Sequence, residues 1–399
     1  MKIGIIKEGK VPVDHRVPFT PVQCRQIMDD FPNMEIYVQP SDIRSYADEE
    51  YETQGITLKE DLSDCDVLFG VKEVNKEDLI PNKHYFFFSH TIKKQPYNQS
   101  LLQEVLKKNI TLTDYECLKN TKGTRVVAFG KFAGIVGAYN ALWAYGNKHD
   151  LYHLKRAYQC KGITELYGEL NKITSTDLKV ILTGGGRVAN GAKEVLVEAG
   201  FMKLDESEFV THEGNSFLQI DPYDYNKRID GQDFSYADFF ANPSAYEGTF
   251  TRFLDKAPIF IAGAYWDPHA PVLFTEEDVK SGKCQFDIIS DITCDIKGSV
   301  PTTVRSTTIE EPVFDINKSD FSEQVAFSNL DNITVVAVDN LPCELPRDAS
   351  ESFGDQLIEN VIPVLAGKKT SDIVKNASIT DSKGSLTELF AYLEDYVVG

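Results

Sequence analysis

The sequence predicts an α/β protein. Short apolar runs alternate with polar, helix-compatible stretches along the chain, the pattern of parallel sheets covered by helices. One stretch, LKVILTGGGRVANGAKEVLVEAG, passes from an apolar strand through a glycine-rich turn into a helix. At 399 residues the chain has room for two domains or three.

The elements follow in order. In the first third, IGIIKE, EIYVQ, DVLFGV, YFFFSH and ITLTDYE read as strands, with PVQCRQIMDDF and NQSLLQEVLKKN as helices between them. RVVAFGKFAGIVGAYNALWAYGNK is expected to move from strand into a long apolar helix, where Gly134 and Gly137 suit close helix packing. After the glycine turn, SEFVTHE reads as the next strand. The polar, Tyr- and Asp-rich stretch from Asn215 to Pro243 reads as a surface insertion. PIFIAGAYW, FDIISDITCD and TVVAVDN are further strands. LPRDASESFGDQLIENVIPVLAG is an amphipathic helix with Asp348 or Ser350 as its N-cap, and SLTELFAYLEDYV a last helix.

Composition bounds the function. Sixty-one acids against 41 bases give a net charge of −20, which argues against nucleic acid and anionic membranes as partners. No apolar run approaches the roughly 18 residues of a membrane span, and MKIGIIKEGK lacks the apolar core and cleavage site of a signal peptide. The seven cysteines form no CxxC pair, so no metal site and no disulfide framework is implied; Cys65, Cys117 and Cys294 read as reduced core thiols. A cytoplasmic enzyme fits best.

In TGGGRVANGAKE, Gly184, Gly186 and Ala189 form G-x-G-x-x-A, with Gly191 two residues on. Bare backbone there would let a pyrophosphate reach the helix N-terminus, whose free N–H groups bind anions. An acid should close the second strand and hold the ribose hydroxyls; Glu213, ending SEFVTHE, is the candidate. An acid there favours NAD by repelling the extra phosphate of NADP. Arg187 would instead pair with that phosphate, so NADP stays the alternative. Elsewhere, CDVLFGV runs into Lys72 and HYFFFS into His90. Ligands bind at the carboxyl ends of such strands. If the strands are neighbours, these ends lie about 5–10 Å apart. A lysine and a histidine that close would depress each other's pKa and suit proton shuttling; the plainer reading is a lysine at a strand exit and a capping histidine.

The stretches KEGKVPVDHRVPFTP, VQPSDIRSYADEEY, VKEV, FFFSHTIKKQ, DYECL, RVVAFGKFAG, SDITCDIKGSVPTT and DNLPCELPRDASESFGD span Lys7 to Asp355. In them the chain resembles the alanine dehydrogenase and saccharopine dehydrogenase superfamily. It looks closest to the lysine-forming saccharopine dehydrogenases and the lysine–ketoglutarate reductase domain of bifunctional aminoadipate semialdehyde synthases. SHTIKKQ and DITCDIKGS are specific to the reductase-like branch; VKE and the glycine turn are shared more widely, and Gly-Gly-Gly-Arg departs from the family's more apolar turns.

The resemblance implies two Rossmann-like domains flanking a cleft: a discontinuous substrate domain, 1–130 with 345–399, and a doubly wound NAD(P)-binding domain, 131–344. It implies acid–base catalysis by Lys72 and His90. Glu73 and Glu116 would tune the charge, one of them holding Lys72. Arg16 and Arg125 would grip substrate carboxylates, for which a bidentate guanidinium is suited, and Asp295 would stand near the nicotinamide. The alternatives are salt bridges for the arginines and a strand-end cap for Asp295. The cofactor set is Gly184, Gly186, Arg187, Val188, Glu213, Ala264, Tyr265 and Asp295. The implied reaction joins L-lysine to 2-oxoglutarate as saccharopine, reversibly, with NAD or NADP and only small-molecule substrates as partners, in a monomer or homodimer. No second, saccharopine-hydrolysing domain is expected. An alanine dehydrogenase-like or other opine-type reaction is the alternative, and a non-catalytic NAD-binding regulator the alternative of another class. A transhydrogenase-like subunit is disfavoured, since nothing in the sequence would couple to a membrane.

Overall fold

The computed structural model describes residues 1–398. The chain divides into two compact units, 1–129 with 346–399, and 130–345.

Unit 1 is built on a six-stranded parallel sheet: β1 (Lys2–Ile5), β2 (Glu35–Val38), β3 (Thr57–Leu58), β4 (Val67–Phe69), β5 (His84–Phe87) and β6 (Thr111–Asp114), in the order β3-β2-β1-β4-β5-β6. The central strands are apolar because both faces are covered; every residue of β4 is buried. The helix Pro21–Asp30 starts on a proline behind a capping box: Gln23 N–H donates to Thr20 Oγ1 at 3.3 Å, and Thr20 N–H to Gln23 Oε1 at 3.0 Å. The C-terminal segment belongs to this unit. The helix Pro346–Asn360 presents Ser350 Oγ to Val17 N–H at 2.9 Å, and Gln23 Nε2 donates to Asp355 at 2.7 Å. Phe353 stacks on Phe129 with centroids 4.2 Å apart. The backbone bridge Thr113–Ser378 lies along β6, the sheet's last strand.

Unit 2 holds ten strands: β7 (Lys179–Thr183), β8 (Met202–Leu204), β9 (Ser216–Ile220), β10 (Asn226–Arg228), β11 (Tyr246–Gly248), β12 (Ile259–Ala262), β13 (Ile288–Asp291), β14 (Val313–Ile316), β15 (Glu323–Gln324) and β16 (Ile333–Val336). Eight form one sheet, ordered β15-β14-β16-β13-β12-β7-β9-β8. Its strands run parallel except β14, which is antiparallel to both β16 and β15, and β10 and β11 make a separate antiparallel pair. The helices Gly130–Lys148 and Arg187–Glu198 touch backbone to backbone. A Cβ on Gly134 would lie 1.9 Å from Val188 O, and one on Gly191 2.0 Å from Lys131 O, so both crossings require glycine.

Several readings are corrected. RVVAFG forms no strand beyond a single bridge at Arg125. The segment read as strand SEFVTHE is a helix, Glu206–Thr211, capped by Asp205, whose Oδ1 accepts Glu208 N–H at 2.9 Å. Ser216–Ile220 is a core strand, so the irregular insertion starts only at Asp221. The helix Pro346–Asn360 begins before Asp348 and Ser350, which sit inside its first turns. The tail is a 3₁₀ turn, Glu388–Leu393, followed by the short helix Glu394–Val398. Cys65 is buried, but Cys117 and Cys294 are only half-buried. The antiparallel strands β14 and β15 were not foreseen, since short edge strands carry little periodicity. Among the described residues no helix is long and apolar enough to cross a membrane, and no group of three or more His, Cys, Asp or Glu could hold a metal ion.

Candidate active site

In unit 1, β4 and β5 pair in register, Phe69 beside Phe86. The pairing runs past the strands, with Gly70 N–H donating to Phe86 O at 2.9 Å and Phe88 N–H to Val71 O at 3.0 Å. Continued by two residues, this register sets Glu73, not Lys72, opposite His90. His90 Nδ1 lies 2.7 Å from Glu73 Oε1, and Lys10 Nζ 2.5 Å from Glu73 Oε2. Burial pushes the Glu73 carboxyl upward, but the hydrogen bonds from His90 and Lys10 outweigh it and hold the group at about 2. A carboxylate only accepts, so Nδ1 carries the shared proton and Nε2 is the nitrogen left for chemistry. His90 itself sits at φ 52°, a left-handed conformation uncommon outside glycine and typical of functional sites.

No hydrogen bond joins Lys72 to His90, so the expected direct lysine–histidine contact is replaced by one through Glu73. Neither Glu73 nor Glu116 holds Lys72: its ammonium has no hydrogen bond or ion pair among the described residues. Its backbone N–H donates to Glu8 Oε2 at 2.9 Å. Lys72, Glu73 and Glu8 line a cavity of about 270 Å³.

Glu116 is buried in the turn after β6 and pairs with Arg125 Nη2 at 3.3 Å and Lys93 Nζ at 3.8 Å; its Oε2 is buried with no hydrogen-bond partner. Arg125 is half-exposed. Arg16, by contrast, is buried: its Nε and Nη2 donate to the two oxygens of Asp14 at 2.9 and 2.5 Å, and the guanidinium lies 4.1 Å from the Phe129 ring centroid. The Nε and Nη2 edge of the guanidinium thus makes a bidentate internal pair.

In unit 2 the glycine turn connects β7 to the helix Arg187–Glu198, with Gly186 as the N-cap. Gly184 takes φ +99°, and a Cβ there would meet Ala264 and Gly263 O at 3.0 Å, so the tight turn against the β12 exit needs glycine. Arg187 and Val188 form the helix's first turn. Ala264 and Tyr265, with Thr183, Tyr225 and Trp266, line a narrow apolar pocket, and Tyr265 is 74% exposed. Glu213 is a correction: it lies exposed in the loop before β9, at the amino end of the sheet, away from the turn. The acid at the carboxyl end of β9 is Asp221. β9 pairs directly with β7, and a Cβ on Gly185 would lie 2.9 Å from Asp221 Oδ1. Burial, then its neighbour Asp224, raises the Asp221 carboxyl.

Asp295 is exposed in a turn past the end of β13, where its carbonyl accepts Gly298 N–H at 2.8 Å. The strand-end acid is Asp291, buried and held by the hydroxyls of Thr293 and Thr303 at 2.7 Å each. Sequence reasoning missed Glu8, Lys10, Asp14 and Asp221. Asp221 had a local signal, the acid that closes the apolar run SFLQID, and Glu8, Lys10 and Asp14 lie within the stretch KEGKVPVDHRVPFTP.

The residues present fit a dinucleotide: a turn in which Gly184 leaves no room for a side chain, a glycine-capped helix N-terminus, and an acid just past the neighbouring strand. The chain belongs to the alanine dehydrogenase/PNT family. The family's N-terminal domain matches residues 4–136 and its C-terminal domain residues 162–387. Among similar curated proteins, the alpha-aminoadipic semialdehyde synthase of Arabidopsis thaliana is 31% identical over 98% of this chain, which spans only 41% of that protein. The NAD(+), L-lysine-forming saccharopine dehydrogenase of Yarrowia lipolytica is 26% identical over 91% of this chain and 92% of its own length. Among solved structures, an L-alanine dehydrogenase shares the fold with a TM-score of 0.67 at 15% identity, covering 99% of this chain and all of that one.

Proposed function

We propose that the protein is an NAD-dependent oxidoreductase acting on a C–N bond, condensing L-lysine with 2-oxoglutarate to saccharopine and running the reverse reaction. One observation carries the reading: the buried Glu73 carboxylate holds His90 and Lys10 at the strand ends where the Lys72 ammonium is left unpaired. Imine formation from an amine and a keto acid requires such groups, because protons must leave the amine and reach the departing oxygen. The alignment with the Yarrowia lipolytica saccharopine dehydrogenase over nearly all of both chains supports the choice of substrates.

In this reading the lysine ε-amine attacks the keto carbon, and Lys72, in its neutral amine form, takes up the amine's proton and relays it. His90 gives its Nε2 proton to the carbinol oxygen as water leaves, and the Glu73 carboxylate stabilises the charged imidazole. Half-exposed Arg125, set by Glu116, takes a substrate carboxylate. Arg16, locked to Asp14, supports that wall of the site. The bound dinucleotide supplies the hydride. Gly184, Gly186, Arg187 and Val188 would cradle its phosphates, Asp221 would hold its ribose, Ala264 and Tyr265 would border it, and Asp295 would balance charge on its side. The Asp221 carboxylate disfavours a 2′-phosphate, so NAD is the cofactor.

The test is NADH and NADPH oxidation by the purified protein with L-lysine and 2-oxoglutarate, beside an arm with pyruvate and ammonia. Oxidation of NADH that needs lysine and 2-oxoglutarate together supports the proposal. Turnover of pyruvate and ammonia alone moves the chain to alanine dehydrogenase chemistry. Cofactor binding with silence in both arms favours a regulator.

A further inference from the structure

Beyond β1 the chain stays beside β4: Ile6 N–H donates to Phe69 O at 3.0 Å. Two residues on, the half-buried Glu8 turns its carboxyl to the β4 exit. Its Oε1 accepts Val71 N–H at 2.7 Å and its Oε2 accepts Lys72 N–H at 2.9 Å. Both amides lie past the last residue of β4, and Glu8 supplies the acceptors that no strand carbonyl provides there. Two bonds on consecutive peptide units fix the backbone on both sides of Val71 and so set the direction in which Lys72 leaves the chain. The carbonyl of Gly70 is held as well, by Tyr115 Oη at 2.8 Å. This fixed segment presents Lys72 to the cavity it shares with Glu8 and Glu73.

We propose that Glu8 is a positioning residue for proton transfer: its carboxylate clamps the Val71 and Lys72 amides and thereby aims the Lys72 ammonium and the Glu73 carboxylate. The proposal rests on the functional reading above only in assigning proton transfer to that array. A carboxylate is required, since two ionised oxygens accept both amides, whereas a glutamine would turn an N–H₂ toward one of them. The clamp also responds to pH. Burial and the nearby Asp14 carboxylate raise Glu8 to about 8, against the lowering effect of the two amides and of Arg16. The other charged or titratable groups around it are Lys7, Glu60, Asp61, Lys72, Glu73 and Asp78, which line the same cavity, and Tyr115 after β6.

The experiment uses the full chain as wild type, Glu8→Gln and Glu8→Asp, with amide nitrogens of lysine labelled for NMR. In the wild type the Lys72 amide resonance shifts on titration from pH 6.5 to 9.5 with a midpoint near 8, and the shift is absent in Glu8→Gln. In turnover at about pH 9, where the Glu8 carboxyl is ionised, Glu8→Gln lowers kcat by about 10–100-fold, the cost of misplacing a reacting group, and leaves KM for both substrates nearly unchanged. Glu8→Asp keeps the carboxylate and restores part of kcat. A Lys72 amide resonance that Glu8→Gln leaves unmoved at every pH overturns the clamp, and full kcat in a folded Glu8→Gln overturns its role. If no substrate pair is turned over by the wild type, the functional reading has failed by itself, and the amide shift between wild type and Glu8→Gln still decides the clamp.

Discussion

Glu73→Gln keeps the size of the side chain and removes its charge, and the consequence can be worked from the site. Glu73 is 8% exposed and is held at about 2 against an ordinary 4.5 by His90 and Lys10. A depressed carboxylate stabilises the fold fully above its unfolded value and loses that contribution as pH falls toward the folded one. A gap of this size corresponds to ~3 kcal/mol at neutral pH. Of that, about 2 kcal/mol disappears between pH 7 and pH 3. Urea unfolding of wild type and Glu73→Gln at several pH values between 7 and 3 isolates the group, because every other carboxyl titrates in both proteins. The stability difference should be largest at pH 7 and shrink steadily below pH 5. A difference that stays constant across the range would mean that the carboxylate is not held by His90 and Lys10, and the charge assignments built on it would fall.

Two further outcomes follow from the second unit. Asp221→Ser removes the acid beside Gly185, so the ratio of kcat/KM for NADPH to that for NADH should rise by about 10-fold or more, read by the same oxidation assay. Gly134→Ala places a methyl group 1.9 Å from Val188 O; the helix pair must part, and the variant should lose roughly 3 kcal/mol or more by thermal unfolding, while an unchanged Tm would refute the close crossing.

Strands β1, β2, β4, β5 and β6 of the first sheet and β7, β12, β13 and β16 of the second were legible because parallel strands, buried on both faces, read as apolar runs; IGII, DVLF and VILT needed no context. SEFVTHE misled for the opposite reason. Phe209 and Val210 suggest a strand, yet Asp205 and the acids of the first turn cap a helix, and this local chemistry prevailed. The error moved the expected ribose acid from Asp221 to Glu213, seven residues before β9 ends. The pairing of His90 with Glu73 was illegible for another reason. A shift of one residue at a strand exit exchanges which neighbour is reached, and that register is set by hydrogen bonds between β4 and β5 that no single segment encodes. Glu8 and Lys10 lie in irregular backbone without period, so nothing local marks them beyond their charge.

The discontinuity of unit 1 has a temporal side. Leu112 N–H, on the outer strand β6, donates to Thr380 Oγ1 across a separation of 268 residues. During synthesis at roughly 5–20 residues per second, that partner arrives about 10–50 s after β6 has left the ribosome. All of unit 2, which is contiguous, is made in the interval. The nascent chain therefore carries an unfinished, aggregation-prone sheet edge while its neighbour completes, and the segment around Thr380, made only afterwards, is the one that seals it.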